Sequence, residues 1–276
     1  MKSFLFARIT GLALLSLLFL SACTKDVDKD NDDNGGGNPA GNQKGVVTGV
    51  VKDAQGKPVA GAKVRLENDF AYYDVTTNAQ GQYTCKVATF GSFKALAWAP
   101  VNYNGNSYMV RVGMDAEQDY DFFSVDNGAV RNFQMRHKGR IPDRSIGENG
   151  TGYFGASINF YKLGSLFGQQ LEEGDVVTYT LTPIGPLMDG SGGQPLQGSF
   201  NILNNKVEYY VVDVPAGKYK VEAIVTRDGA DYRVYVGSFS SQTETVEIVP
   251  RPSDYGVGNY ENGFMHPANV VYMSVK

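Results

Sequence analysis

From Val46 to Val87 the chain reads VVTGVVKDAQGKPVAGAKVRLENDFAYYDVTTNAQGQYTCKV, short Val- and Leu-rich runs broken by Gly, Pro, Asn and Asp. The period is two: Val46, Thr48 and Val50 face one way, Val47 and Val51 the other. Such a pattern cannot bury a helix face, so the stretch predicts short strands joined by tight turns. Ala54-Gln55-Gly56-Lys57-Pro58 is the first turn, with Gly56 able to take positive φ and Pro58 directing the chain's exit. Ala62 to Glu67 pairs back on the first strand, Thr77-Asn78-Ala79-Gln80-Gly81 turns again, and Gln82 to Val87 alternates once more.

Twelve of these positions share a wider pattern: Gly49, Val51, Asp53, Gly56, Pro58, Val59, Gly61, Ala62, Val64, Thr77, Gly81 and Tyr83. Their spacing, G-x-V-x-D-x-x-G-x-P-V-x-G-A-x-V followed by T-x-x-x-G-x-Y, resembles the carboxypeptidase regulatory-like family, closely over residues 45–93 and loosely beyond. The resemblance implies a transthyretin-like β-sandwich. It does not imply peptidase activity, because in that family zinc-dependent catalysis belongs to a separate domain.

The ends set other bounds. Lys2 and Arg8 precede an apolar run from Ile9 to Leu20, too short for a membrane span, which needs about 20 apolar residues. Leu20-Ser21-Ala22-Cys23 resembles a bacterial lipobox. It implies that residues 1–22 are a signal peptide and that Cys23 is acylated, making the membrane a partner through lipid. Residues 23–44 hold almost no apolar side chain and are expected to form an acidic, Gly-rich tether. Asp26, Asp28, Asp30 and Asp32 alternate there as in calcium loops, without the terminal Glu such a loop needs. Acid behind a lipidated Cys also resembles the surface-export signal of Bacteroidota lipoproteins, which implies an outer-membrane protein facing the cell exterior.

The fold class expected is all-β, two transthyretin- or immunoglobulin-like sandwiches in tandem: residues 45–138, a linker at 139–148, and 149–276. Runs at Ser92 to Trp98, Ser107 to Val112, Tyr120 to Val125 and Val130 to His137 complete about seven strands in the first. The stretch Ala99 to Asn106 is read as an exposed loop. In the second, Gly152 to Tyr161, Val176 to Thr182, Lys206 to Val212, Lys218 to Thr226, Tyr232 to Val236, Thr245 to Val249 and Val270 to Val275 alternate. Leu163 to Glu173 could form one short helix, and no repeat period links the two halves. With Cys23 lipidated, Cys85 has no disulfide partner and reads as a small buried hydrophobe.

Chemistry is sparse. The two histidines, His137 and His266, lack the neighbours of a zinc site, and no H-E-x-x-H or G-x-S-x-G occurs, so no catalytic residue, metal or cofactor is expected. A formal net charge of −4 without a basic cluster argues against nucleic acid. The stretch Arg251 to Pro267, between two strands, joins aromatic rings to Asn and Asp. Rings stack on sugar faces while amides and carboxylates bond hydroxyls, so Tyr255, Asn259, Tyr260 and Asn262 are the candidate glycan contacts. Equally, Tyr255, Tyr260 and Phe264 could plug the end of the second sandwich; Trp98 with Tyr103 and Tyr108 is a second aromatic group, its Trp suited to the core. The reading is a non-catalytic surface lipoprotein that binds or scaffolds, an accessory glycan-binding subunit of an outer-membrane transporter complex. Alternatives are a fimbrial subunit donating Asn269 to Lys276 as a strand, and, below it, a glycoside hydrolase using carboxylates such as Glu172, Glu173, Asp119, Asp121 or Glu261.

Overall fold

The computed structural model describes residues 43–164, 170–250 and 269–275. The signal and lipidation residues through Cys23, the acidic tether up to residue 42, and the candidate contacts Tyr255, Asn259, Tyr260 and Asn262 lie outside the described residues. So do residues 165–169 of the expected helix.

The chain is all-β in two bodies. The first contains β1 (Val46–Lys52), β2 (Lys63–Glu67), β3 (Tyr72–Thr76), β4 (Gln82–Lys86), β5 (Ser92–Tyr103), β6 (Asn106–Gly113), β7 (Phe123–Ser124), β8 (Ala129–Val130) and β9 (Phe133–Met135). The second contains β10 (Ala156–Lys162), β11 (Val176–Pro183), β12 (Leu196–Asn201), β13 (Glu208–Val214), β14 (Tyr219–Arg227), β15 (Ala230–Ser238), β16 (Ser241–Thr243), β17 (Thr245–Ile248) and β18 (Val270–Val275). Each sheet folds over its own core as a sandwich-like, nearly closed body. Val47, Val51, Leu66, Phe93, Val112 and Phe133 fill the first; Ile158, Phe160, Leu181, Val221, Val234 and Met273 fill the second.

The strand order is β3-β2-β5-β6-β9-β1-β4 in one sheet and β12-β11-β14-β15-β18-β10-β13 in the other. Counted within each body these are the same order, and in both the first strand runs parallel to the last. The bodies are two copies of one topology. Loop lengths hide this in the sequence: β2 and β3 are joined by residues 68–71, whereas β11 and β12 are joined by residues 184–195.

Several expectations change. The stretch Ala99 to Asn106 is not a long loop: β5 and β6 continue through it to a two-residue turn at Asn104-Gly105, with φ of 48° and 77°. Two positive φ values are what a tight hairpin matching strand twist requires, and Asn-Gly is its usual sequence. Tyr120 to Val125 forms a 3₁₀ turn at Glu117–Tyr120 and the two-residue β7, and β3 and β12 are strands the alternation did not reveal. β18 lies between β10 and β15 as an interior strand of its own body, so in this chain it is not held out for donation.

The two bodies meet at a built joint. Tyr108, Val110, Met188 and Ala216 pack together across it. The Tyr103 hydroxyl donates to the Pro186 carbonyl (2.9 Å) and accepts from the Lys218 amide (2.8 Å). His137 Nδ1 lies 2.8 Å from the Asp189 carboxylate, and Gln55 Nε2 donates to the Asp189 carbonyl. Asp213, at φ 58°, takes the Gly139 and Gly155 amides on its carboxylate and so ties down the connecting segment.

Candidate functional site

The local chemistry of the first body accounts for its motif. Asp53 Oδ1 accepts from the Gln55 and Lys57 amides (2.9 and 2.8 Å), closing the turn after β1. Thr77 Oγ1 accepts from the Ala62 amide and donates to the Val59 carbonyl, pinning the chain before β2. At Gly81, φ 69°, an added Cβ would sit 2.6 Å from the Val51 carbonyl oxygen; at Gly49 it would sit 1.8 Å from that of Arg131. Only glycine fits either place. The Tyr83 hydroxyl donates to the same Arg131 carbonyl at 2.7 Å, and burial raises its pKa far above the usual tyrosine range. Residues 46–123 match the carboxypeptidase regulatory-like domain. Its motif residues hold the turns and the β1–β4 corner of this regulatory-like domain; the matched chemistry is structural.

The most similar solved structures include the Bacillus anthracis TIE protein, at 14% identity over 76% of this chain and TM-score 0.31. The chain spans about a third of that protein's length, 32%. Others are a DUF3823 family protein from Bacteroides ovatus (12% identity, 75% of this chain and 99% of that one, TM-score 0.24) and a candidate carbohydrate-binding protein from Bacteroides uniformis (14%, 75% and 99%, TM-score 0.23). No curated protein sequence matches the chain.

Two aromatic surfaces stand outside the cores. The first is on the outer face of the second body. Tyr161 on β10 and Tyr272 on β18 are paired across the sheet with ring centroids 5.3 Å apart, and Phe239, in the turn after β15, lies 5.5 Å from Tyr272. Alternation places Asn159 and Ser274 on the same face, one on each side of the row. Both are more than nine-tenths buried, and the Asn159 Oδ1 and Ser274 Oγ atoms find no hydrogen-bond partner among the described residues, while Asn159 Nδ2 donates to Glu208. Buried polar atoms are nearly always satisfied, so these two, closed off from solvent beside the aromatic row, call for a partner beyond the described residues or a buried water. The segment holding Tyr255, Asn259, Tyr260 and Asn262 runs between β17 and β18, and so leads directly into the strand that carries Tyr272. Sequence reasoning missed the row because Tyr161, Phe239 and Tyr272 are far apart in the chain and each sits in an ordinary alternating run.

The second surface is a cleft of about 420 Å³ at the end of the regulatory-like domain away from the joint, lined by Asn68, Asp69, Phe70, Phe90, Gly91, Ser92 and Phe122. Asn68 Oδ1 accepts from the Phe70 and Ala71 amides, a turn that pushes Phe70 outward.

The remaining candidates are engaged structurally. Trp98 is fully buried with Arg111 5.4 Å from its ring, Tyr103 and Tyr108 belong to the joint, and His137 contacts Asp189 across it. Glu172 pairs with Arg227, Glu173 accepts from Asn204, and Asp119 lies in the 3₁₀ turn. Cys85 is buried, which pushes its thiol up to about 11. Among the described residues no group of three or more His, Cys, Asp or Glu could hold a metal ion.

Proposed function

We propose that this chain is a lipid-anchored protein of the outer-membrane surface, held through Cys23, that binds glycan without acting on it and serves as an accessory subunit of an import complex. The observation that carries the reading is the aromatic row Tyr161–Tyr272–Phe239 outside the core of the second body. Aromatic rings supply apolar contact to sugar rings. Tyr255, Asn259, Tyr260 and Asn262, on the segment feeding β18, are proposed to complete the site.

Affinity electrophoresis tests this. Retardation in gels containing the right polysaccharide is expected, and is lost in a Tyr161→Ala/Tyr272→Ala double variant and weakened in Tyr255→Ala/Tyr260→Ala. No retardation of the unaltered protein by any polysaccharide would leave scaffolding alone. Replacing Asp26, Asp28 and Asp30 by Asn is expected to leave acylation intact but shield the protein from protease added to whole cells. Undiminished digestion would remove the surface-export part.

A further inference from the structure

The Phe-lined cleft sits where the chain enters the first body. Val46 pairs with Lys86, the Gly45 amide donates to the Val125 carbonyl, and the Val87 amide donates back to Gly45. Lys44 lies 3.6 Å from Asp126. The loops on either side of these bonds carry Phe90 and Phe122, and the β2–β3 turn beside them carries Phe70, since Glu67 pairs with Lys94 at the start of β5 and Ser92 with Ser124. The joint to the second body lies at the other end of β5, where Tyr103 is. β5 has 12 residues, so the two ends are about 36 Å apart.

Phe70, Phe90 and Phe122 are 90%, 74% and 53% exposed, and Tyr72 beside them is 64% exposed. Single exposed apolar residues need no explanation, but three phenylalanines at the tips of neighbouring loops do. In the second body the corresponding loops, between β11 and β12 and between β13 and β14, carry Met188 and Ala216, and these are buried in the joint. The apolar end of one copy of the fold is covered by the preceding body. The same end of the other copy is left uncovered by the described residues.

We propose that this end rests on the lipid bilayer, with the three phenylalanine rings entering the boundary between headgroups and acyl chains. The proposal rests on the reading that Cys23 carries lipid. Cys23 and Lys44 are 21 residues apart, and from Lys44 the chain continues directly into the Phe-bearing end. The bilayer that holds the acyl group is therefore within reach of these rings. The charges around them are mixed: Asp69, Asp121 and Asp126 against Lys44, Lys86 and Lys94. That pattern suits a zwitterionic surface better than an anionic one, and Asp69 next to Phe70 and Asp121 next to Phe122 limit the contact to the rings, a shallow seat.

The test is brominated-lipid quenching of introduced tryptophans in the full acylated protein, reconstituted into phosphatidylcholine vesicles. Phe90→Trp reports on the proposed seat. Tyr232→Trp reports on the far hairpin of the second body, where Asp231 pairs with Thr226, and the buried Trp98 gives a constant background. Bromines near the headgroup should quench position 90 several-fold more than position 232, and adding Phe70→Ser and Phe122→Ser should remove most of that difference. Equal quenching at both positions, in protein that floats with the vesicles, overturns the proposal and leaves the anchor standing. Protein that does not float at all overturns the anchored reading and the seat together. Self-association that Phe90→Ser abolishes, or saccharide binding at the cleft without quenching, overturns the seat in favour of a second copy or a sugar.

Discussion

Gly49 shows how a single residue is chosen by its surroundings. Its backbone passes so close to the Arg131 carbonyl that a methyl group has no place to go without moving β1 or the loop before β9. Gly49→Ala should destabilise the first body by about 1–3 kcal/mol, seen as a lower thermal midpoint, whereas Gly56→Ala meets no neighbour and strains only its positive φ. Asp175 offers a test by pH. Burial disfavours its charged form, but hydrogen bonds from Arg227 and from the Glu172 amide, with the Arg227 charge, outweigh this and hold the carboxyl below its usual range. A depressed carboxyl contributes stability above its unfolded pKa of about 3.9, and that contribution is lost as pH falls through the folded value. Urea midpoints should therefore drop below about pH 4, and Asp175→Asn should flatten that part of the profile while lowering stability at neutral pH by about 1–2 kcal/mol, since Arg227 is partly exposed and keeps Glu172. Cys85, raised to about 11 and buried, should resist alkylation in the native protein and react once it is unfolded.

At the scale of strands and turns, the sequence was informative wherever burial alternates on one face. β18 appears with the limits its alternation predicts, and β1, β2 and β4 follow from the opening stretch. β3 was hidden because only Tyr73 and Val75 of its five residues turn to the core, and only in part, so its apolar face is two residues long. β5 past Trp98 was hidden by Pro100 and by the polar run to Asn104, although Asn104-Gly105 already carried the signature of a hairpin turn, as Asp228-Gly229 does between β14 and β15. The aromatic row of the second body was illegible for another reason: it depends on which strands pair, and β10 and β18 meet only through a parallel pairing that no local pattern records. Substituting Tyr272 by Ala should thus weaken glycan retention with little loss of stability, since the ring lies outside the core, while Phe160→Ala should cost about 3–5 kcal/mol.

Across the whole molecule, the joint decides whether two similar bodies act as one. Tyr103 makes two hydrogen bonds across it, His137 and Asp189 a polar contact, and Tyr108, Val110, Met188 and Ala216 a small apolar contact. The unaltered chain should unfold in a single calorimetric transition, and Tyr103→Ala combined with Asp189→Ala should resolve two, because the pair of changes removes both Tyr103 hydrogen bonds and the His137–Asp189 contact across the joint. A double variant that still melts in one step would mean that Asp213 and its amide bonds to Gly139 and Gly155 suffice.

The amino-acid sequence alone determined that this chain is built of strands and that its first half follows the regulatory-like plan, because alternation, turn residues and close-approach glycines act over a few neighbouring positions. Only the tertiary structure decided that the second body repeats the seven-strand order of the first, that Met188 and Ala216 are covered while Phe70, Phe90 and Phe122 are exposed, and that Tyr161 and Tyr272 share a face. Those outcomes depend on contacts between residues tens to more than a hundred positions apart, which are settled by how sheets close and bodies dock.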